Sequence, residues 1–466
     1  MRLANRTSPY RGLPTILLAL LFGASTAAYA QPPIAVLDAL HQTIMLRKGT
    51  DGKTYGVGET DPLLWGGSAY FLSGESRERL TAAVNAVAAL PDSAIQNCPP
   101  AQRALLQNRV WTVFDYLYEH RYFTTEDGKR GNGLLADRDR TLLQLLATVM
   151  AKLALDDSDI TTIPDPLLEA ATSGRWPKQP DPAGGPDVFL PADLGSIGGR
   201  WINLIRADGE PIAPEHLRGS GGRSCFLVSA RFPDKGPTVE NYFKTVADFP
   251  VPWLPGERDP RPDGTLEFRL NPALPSFPPG SIFALIRKLQ VVDRQGRVRT
   301  TPLTLSVQLR YYRIVQSTAE AERPKTISDI RKRQSFAEFR LETDVVAQGG
   351  APRLRAVTAA EKDYLFFRDV GTDQIDGSPA EHFSPNFTSA PRNVSLESCY
   401  NCHPGLGLSS INSAVGFRNP PFPLGPLIPD DSNRNGVHET DLATIWKMRR
   451  ASWGVLVAFW PVTTNQ

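Results

Sequence analysis

The run Cys399-Tyr400-Asn401-Cys402-His403 is the place in this chain where residue type and spacing together specify a chemistry. Two thiols separated by two residues lie on one short turn, and each can add across a vinyl group of a porphyrin to form a thioether. A histidine directly after the second cysteine presents its imidazole to the iron as proximal ligand. With four cysteines and six histidines in 466 residues, such a run arises by chance about 4 × 10⁻⁴ times per chain, so the pattern is specific. Other chemistries use the same thiols. A Cys399–Cys402 disulfide, structural or of the thioredoxin-like redox kind, is open to an exported protein. A redox pair opens a helix after a strand, however, and no such pattern surrounds residues 395–404. A tetrahedral zinc site needs a second ligand pair, which the neighbourhood lacks.

Followed by Pro404 and Gly405, the segment resembles the attachment segment of c-type cytochromes. The resemblance covers some five to seven residues and none of the preceding regions. It implies one covalent haem c held by Cys399 and Cys402, with His403 as proximal ligand, loaded by a maturation apparatus outside the cytoplasm. Small single-haem members of that group supply a distal methionine downstream. Here the only methionine after the motif is Met448, flanked by Arg449 and Arg450. His438 and His382 are the other candidates for the distal place, and a site with none of them is open or water-bound. The choice decides function, because six-coordinate iron favours electron transfer while an open position permits peroxide or gas chemistry. Three functions follow: a haem c protein exchanging electrons with a redox partner protein, a peroxidase-like oxidoreductase, or a secreted binding or structural protein with a Cys399–Cys402 disulfide and no haem.

A second constellation lies between the motif and Met448. Asp431, Asn433, Asn435, Glu439 and Asp441 place oxygen ligands at spacings resembling acidic calcium loops, with Gly436 allowing a sharp turn. Position twelve of a standard EF-hand loop needs an acid and is Leu442 here, so the alternative is an Asx-rich turn without metal.

The elements that must position these residues begin after a leader. Arg2, Arg6 and Arg11 precede an apolar run over 13–22 and then Ala28-Tyr29-Ala30, the pattern of a secretory signal peptide cleaved after Ala30. The run is about half the length of a bilayer-spanning helix, and no later stretch is long enough to span. The product is expected to be periplasmic or secreted. Residues 31–466 carry 48 basic and 49 acidic side chains, so there is no electrostatic case for nucleic acid.

The expected architecture is α+β and multidomain. Residues 31–180 are read as mainly helical, with Leu106, Val110, Val113, Phe114 and Leu117 recurring at three- and four-residue steps and Leu142, Leu143, Leu146, Met150 and Leu153 repeating the pattern. Residues 177–191, rich in Pro, Asp and Gly, read as a linker. Residues 181–318 read as an antiparallel sheet or sandwich, with a hairpin turn at Asp293-Arg294-Gln295-Gly296. Residues 319–466 read as a loop-rich haem region, with a helix over 327–339 and a buried strand over 455–462. Cys98 and Cys225 are left over, and pairing them would staple the first two regions together.

Overall fold

Alternating apolar and polar side chains between residues 202 and 356 build the centre of the molecule. The computed structural model describes residues 32–48, 54–62, 64, 70–72, 74–121, 137–181, 188–196, 199–218, 222–255, 268–314, 327–359, 361–363, 393–394, 396, 403, 407–411, 427–430 and 438–461. The segment expected as a signal peptide, Cys399, Cys402 and His382 lie outside these residues.

In chain order the helical first part comprises α1 (Pro33–Met45), α2 (Gly74–Ala88), α3 (Asp92–Gln96), α4 (Pro100–Glu119), α5 (Asp137–Leu153), α6 (Asp157–Thr162) and α7 (Pro166–Thr172), with a small hairpin β1 (Arg47–Lys48) and β2 (Thr54–Tyr55). There follow β3 (Ile202–Arg206), α8 (Pro214–Arg218), β4 (Ser224–Arg231), α9 (Val239–Ala247), β5 (Trp253–Pro255), β6 (Phe268–Leu270), β7 (Ile282–Val292) and β8 (Val298–Tyr312). Then come α10 (Ile327–Arg333), β9 (Gln334–Leu341), α11 (Thr343–Ala347), β10 (Leu354–Ala356), β11 (Lys362–Asp363), β12 (Asn393–Val394), β13 (Leu427–Pro429), α12 (Glu439–Met448) and α13 (Ala451–Phe459). The fold is α+β.

Seven strands form one sheet in the order β10-β9-β8-β7-β4-β3-β13, and every neighbouring pair is antiparallel. The β7–β8 hairpin turns where the sequence predicts it. Asp293 Oδ1 accepts from the backbone N–H of Gln295 and Arg297 at 3.0 and 2.9 Å, and Gly296 supplies the left-handed φ of +75°. Period-two patterning sorts the side chains onto two faces. Ile282, Ala284, Ile286, Val307, Leu309, Ala337, Phe339 and Leu341 point to one face and join Ala101, Leu105, Leu167 and Phe189 in a dry core. Phe226, Phe283 and Tyr312 point to the other and join Leu217, Phe243, Phe277, Leu408 and Ile411. A third core lies among α1, α2, α4, α5 and α13.

Helix starts follow local chemistry. Asp156 and Asp165 cap α6 and α7 by accepting from the backbone N–H of Asp159 and Leu167, and Pro166 occupies a first-turn position where no donor is needed. Asp165 also accepts from Lys288 Nζ and Thr304 Oγ1 at 2.6 and 2.7 Å, which ties α7 to the sheet.

Residues 33–466 form one compact unit. α4 packs on β7, α12 on β4, and α13 on α4 and α5. The helix expected over 327–339 ends at Arg333, where Gln334 begins β9. The apolar segment expected as a strand over 455–462 forms α13 instead, because Trp453 and Leu456 sit one helical turn apart and bury together in the helical core. No helix among the described residues is long and apolar enough to cross a membrane.

Helix α4 departs from the one-sided pattern expected of it. Its apolar residues are buried, and so are Gln102, Arg103, Gln107, Asn108, Arg109 and Asp115. Gln107 donates to the carbonyls of Met150 and Val292 at 2.9 and 2.8 Å and accepts from Val292 N–H at 2.8 Å. Asn108 donates to the carbonyls of Arg223 and Gln290 at 2.8 and 3.0 Å. These amides satisfy backbone groups where the sheet ends against the helix, groups whose burial without partners costs about 1–3 kcal/mol each.

Candidate functional site

His403 is held in place by the short 3₁₀ turn Gly407–Ser410 that follows the cysteine motif. Its Nδ1 lies 3.0 Å from the carbonyl oxygen of Ser410. A carbonyl only accepts, so Nδ1 carries the proton and the lone pair of the neutral ring is on Nε2. This is the tautomer that a metal-ligating imidazole needs, fixed by the kind of backbone contact that orients such ligands. Gln334 Nε2, at the start of β9, donates to the His403 carbonyl at 3.2 Å.

The turn is in turn fixed to the sheet. Arg310 Nη1 donates to Ser410 O at 2.9 Å and to Tyr312 Oη at 2.8 Å. Ser410 Oγ donates to Gly407 O at 2.8 Å, so the Tyr312 hydroxyl donates its proton to Ser410 Oγ. Arg310, Tyr312, Ser410 and Gly407 therefore form one directed chain of hydrogen bonds. Tyr312, Gln334 and Ser410 are all buried, and the Arg310 guanidinium stacks 4.8 Å from the centre of Phe336. Leu408 and Ile411, on either side of Ser410, pack into the aromatic cluster of the same sheet face.

Burial, reinforced by the positive charge of Arg310, pushes the His403 ring down to about 2, so it stays neutral. A second histidine experiences the same surroundings. His216, on α8, is half-buried with its ring 5.4 Å from Phe226 of β4. Burial first, then the charges of Arg287 and Arg310, push it down to about 4. Among the described residues, neither of its ring nitrogens has a hydrogen-bond partner. No sequence motif marks it; its proline-led turn carries no signal beyond that of a short helix start.

The other candidates lie elsewhere. Met448, the last residue of α12, is 51% exposed. His438 stands just before α12 with Nδ1 3.2 Å from Asp430 Oδ1, and its backbone N–H donates to Asp441 Oδ2 at 3.1 Å. Glu439 is turned inward at 1% exposure, where Oε1 accepts from Ile212 N–H at 2.8 Å. Burial raises its carboxyl to about 8 against the pull of that hydrogen bond. Asp431, Asn433 and Asn435 lie outside the described residues. Among the described residues no cluster of three or more His, Cys, Asp or Glu side chains could hold a metal ion.

The open question of a Cys98–Cys225 bond is answered by two unpaired thiols, both buried. Cys98 Sγ donates to Ala94 O at 3.4 Å within the helical core, while Cys225 lies on β4. Burial raises both thiols above the ordinary range, so both behave as small apolar side chains.

Sequence reasoning also missed a buried charge cluster. Asp115 Oδ2 accepts from Lys447 Nζ and, at 3.2 Å, from Arg223 Nη1, and Lys447 sits over Trp111 at 4.7 Å. The partners hold the Asp115 carboxyl below its usual range despite burial, whereas burial brings Lys447 down to about 8 against the pull of Asp115. The cluster binds α12 to α4. No family model, no curated protein and no solved structure matches the chain.

Proposed function

We propose that this chain is an exported, periplasmic or secreted haem c protein that exchanges electrons with a redox partner protein. The observation that carries the reading is His403. It follows the Cys399–Cys402 pair directly, and its Nδ1 proton is committed to the Ser410 carbonyl, which puts the lone pair of the neutral ring on Nε2, the tautomer a haem-ligating histidine would use. When bound, the haem supplies a one-electron iron couple. Cys399 and Cys402 would hold the macrocycle through thioethers. His403 would hold the iron, in an orientation set by Ser410 and Gln334. Arg310 and Tyr312 keep the Ser410 turn against the sheet, and the aromatic cluster beneath it excludes water. A ligand fixed by neighbouring hydrogen bonds suits electron exchange, because little has to rearrange when the charge changes.

Expression in a host equipped for cytochrome c maturation, followed by haem staining of the denatured protein, tests the proposal. The exported chain is expected to stain, and a Cys399→Ala/Cys402→Ala double variant is expected to lose all covalent haem. A colourless wild-type band after confirmed export would overturn it.

A further inference from the structure

We propose that His216 is the second axial ligand of the haem iron, opposite in role to His403, so that the iron carries two imidazoles. The inference rests on the haem reading above and names a residue that the motif alone does not reveal.

Location is the first argument. Leu217, beside His216, and Leu408 and Ile411, which bracket the turn holding His403, belong to one apolar cluster on one face of the sheet. Phe226, under the His216 ring, and Tyr312, bonded to Ser410, are members of that cluster as well. Arg310 donates to the carbonyl that orients His403 and is electrostatically felt at both rings. Two histidines from segments remote in sequence are thus gathered at one patch of β4, β7 and β8.

Availability is the second. The half-buried His216 ring lies over Phe226 and is kept neutral by burial and by the charges of Arg287 and Arg310, and among the described residues no side-chain hydrogen bond engages it. A neutral imidazole is the form that coordinates iron. The segment bearing His216 is also fixed without any help from the iron. Ile212 N–H is held by the Glu439 carboxyl, the His216 N–H is bonded to Ala213 O at 3.0 Å, and Ala213 is kept at a left-handed φ of +53°. Of the rivals among the described residues, Met448 faces solvent and His438 is engaged with Asp430; His382 lies outside them.

Two imidazoles make the iron six-coordinate and low-spin, which leaves no position for peroxide or a gas and favours electron transfer over the peroxidase-like reading. The test is spectroscopic, on the full-length protein matured with haem. The wild type is expected to be low-spin in both oxidation states, with the near-infrared and electron paramagnetic resonance signature of two nitrogen ligands. His216→Ala should become high-spin in the ferric state, bind carbon monoxide readily when reduced, and return to low-spin on adding imidazole. His216→Met should remain six-coordinate with the signature of a thioether ligand and a more positive potential. Circular dichroism matching the wild type controls for folding.

A His216→Ala variant that keeps the wild-type low-spin signature overturns the assignment, as does a wild type that is high-spin. If the wild type carries no covalent haem, the haem reading falls and this inference with it. Covalent haem with an indifferent His216 overturns this inference alone.

Discussion

The two faces of the seven-stranded sheet are built from the same strands to different ends. One face, carrying Ile282, Ala284, Ile286, Val307, Leu309, Ala337, Phe339 and Leu341, is almost entirely hydrocarbon and lies against α6, α7 and the start of α4. The other carries Phe226, Phe283 and Tyr312 interleaved with Arg287, Arg310, Glu338 and Arg340, and it borders both His216 and His403. Apolar burial on the first face contributes stability roughly in proportion to area. On the second, each guanidinium or carboxylate must find a partner or cost several kcal/mol, so that face is specified by geometry. Arg287 meets Asp61 through both Nη atoms at 2.6 Å, and Arg340 Nε meets Glu338 Oε1 at 2.8 Å. The lesson is a division of labour: one face holds the sheet together, and the other holds side chains at fixed positions.

The contrast breaks most sharply at Phe339, fully buried on the dry face and in edge contact with Trp176 at 4.9 Å. Phe339→Ala is expected to lower stability by about 3–5 kcal/mol in chemical denaturation while leaving the haem spectrum of the folded protein unchanged. A spectral change of the size expected for His216→Ala would show that the faces are not separable.

The next effect concerns pH and belongs to the histidine-bearing face alone. The Glu439 carboxyl, which holds the entry to α8, is raised by burial from its ordinary 4.5 to about 8. A carboxyl raised on folding contributes stability that is fully present below about pH 4.5 and lost as pH rises through 8. Glu439→Gln removes that dependence while keeping an acceptor for Ile212 N–H. Relative to the wild type, the variant is expected to gain a few kcal/mol between pH 5 and pH 9, visible as a melting temperature that falls less with pH. Parallel melting curves for the two proteins at every pH would remove Glu439 from the account.

The smallest effect is expected at Met448. Its side chain is largely exposed, so Met448→Ala should change stability by no more than about 0.5 kcal/mol and leave the axial-ligand spectrum untouched. Loss of the low-spin signature in this variant would return the distal place to methionine and dissolve the distinction drawn between His216 and the α12 terminus.

Legibility from sequence divides along similar lines. The long hairpin β7–β8 was readable because alternation over many residues and an Asp-x-x-Gly turn agree with one another. His403 was singled out because the proposed covalent attachment fixes its offset from Cys402. His216 was not, since its meaning lies in packing against Phe226 and in sharing the surroundings of Arg310, and neither leaves a local pattern. The buried amides of α4 were equally silent: Gln107 and Asn108 look like solvent-facing residues until the sheet edge they serve is known. At residues 455–462 a short apolar run was read as a strand, and tertiary packing of Trp453 against Trp111, with ring centres 6.0 Å apart, favours a helix instead.

The bond between Lys447 and Asp115 spans 332 positions of chain. Until α12 and α13 arrive, the middle of α4 contains a desolvated carboxylate lacking its lysine and a tryptophan lacking its partner. The first helical layer is therefore finished by the last segments of the described chain, a topology that closes late and slowly. On the proposed haem reading, such a delay would leave time for thioethers to form at Cys399 and Cys402 before the chain closes.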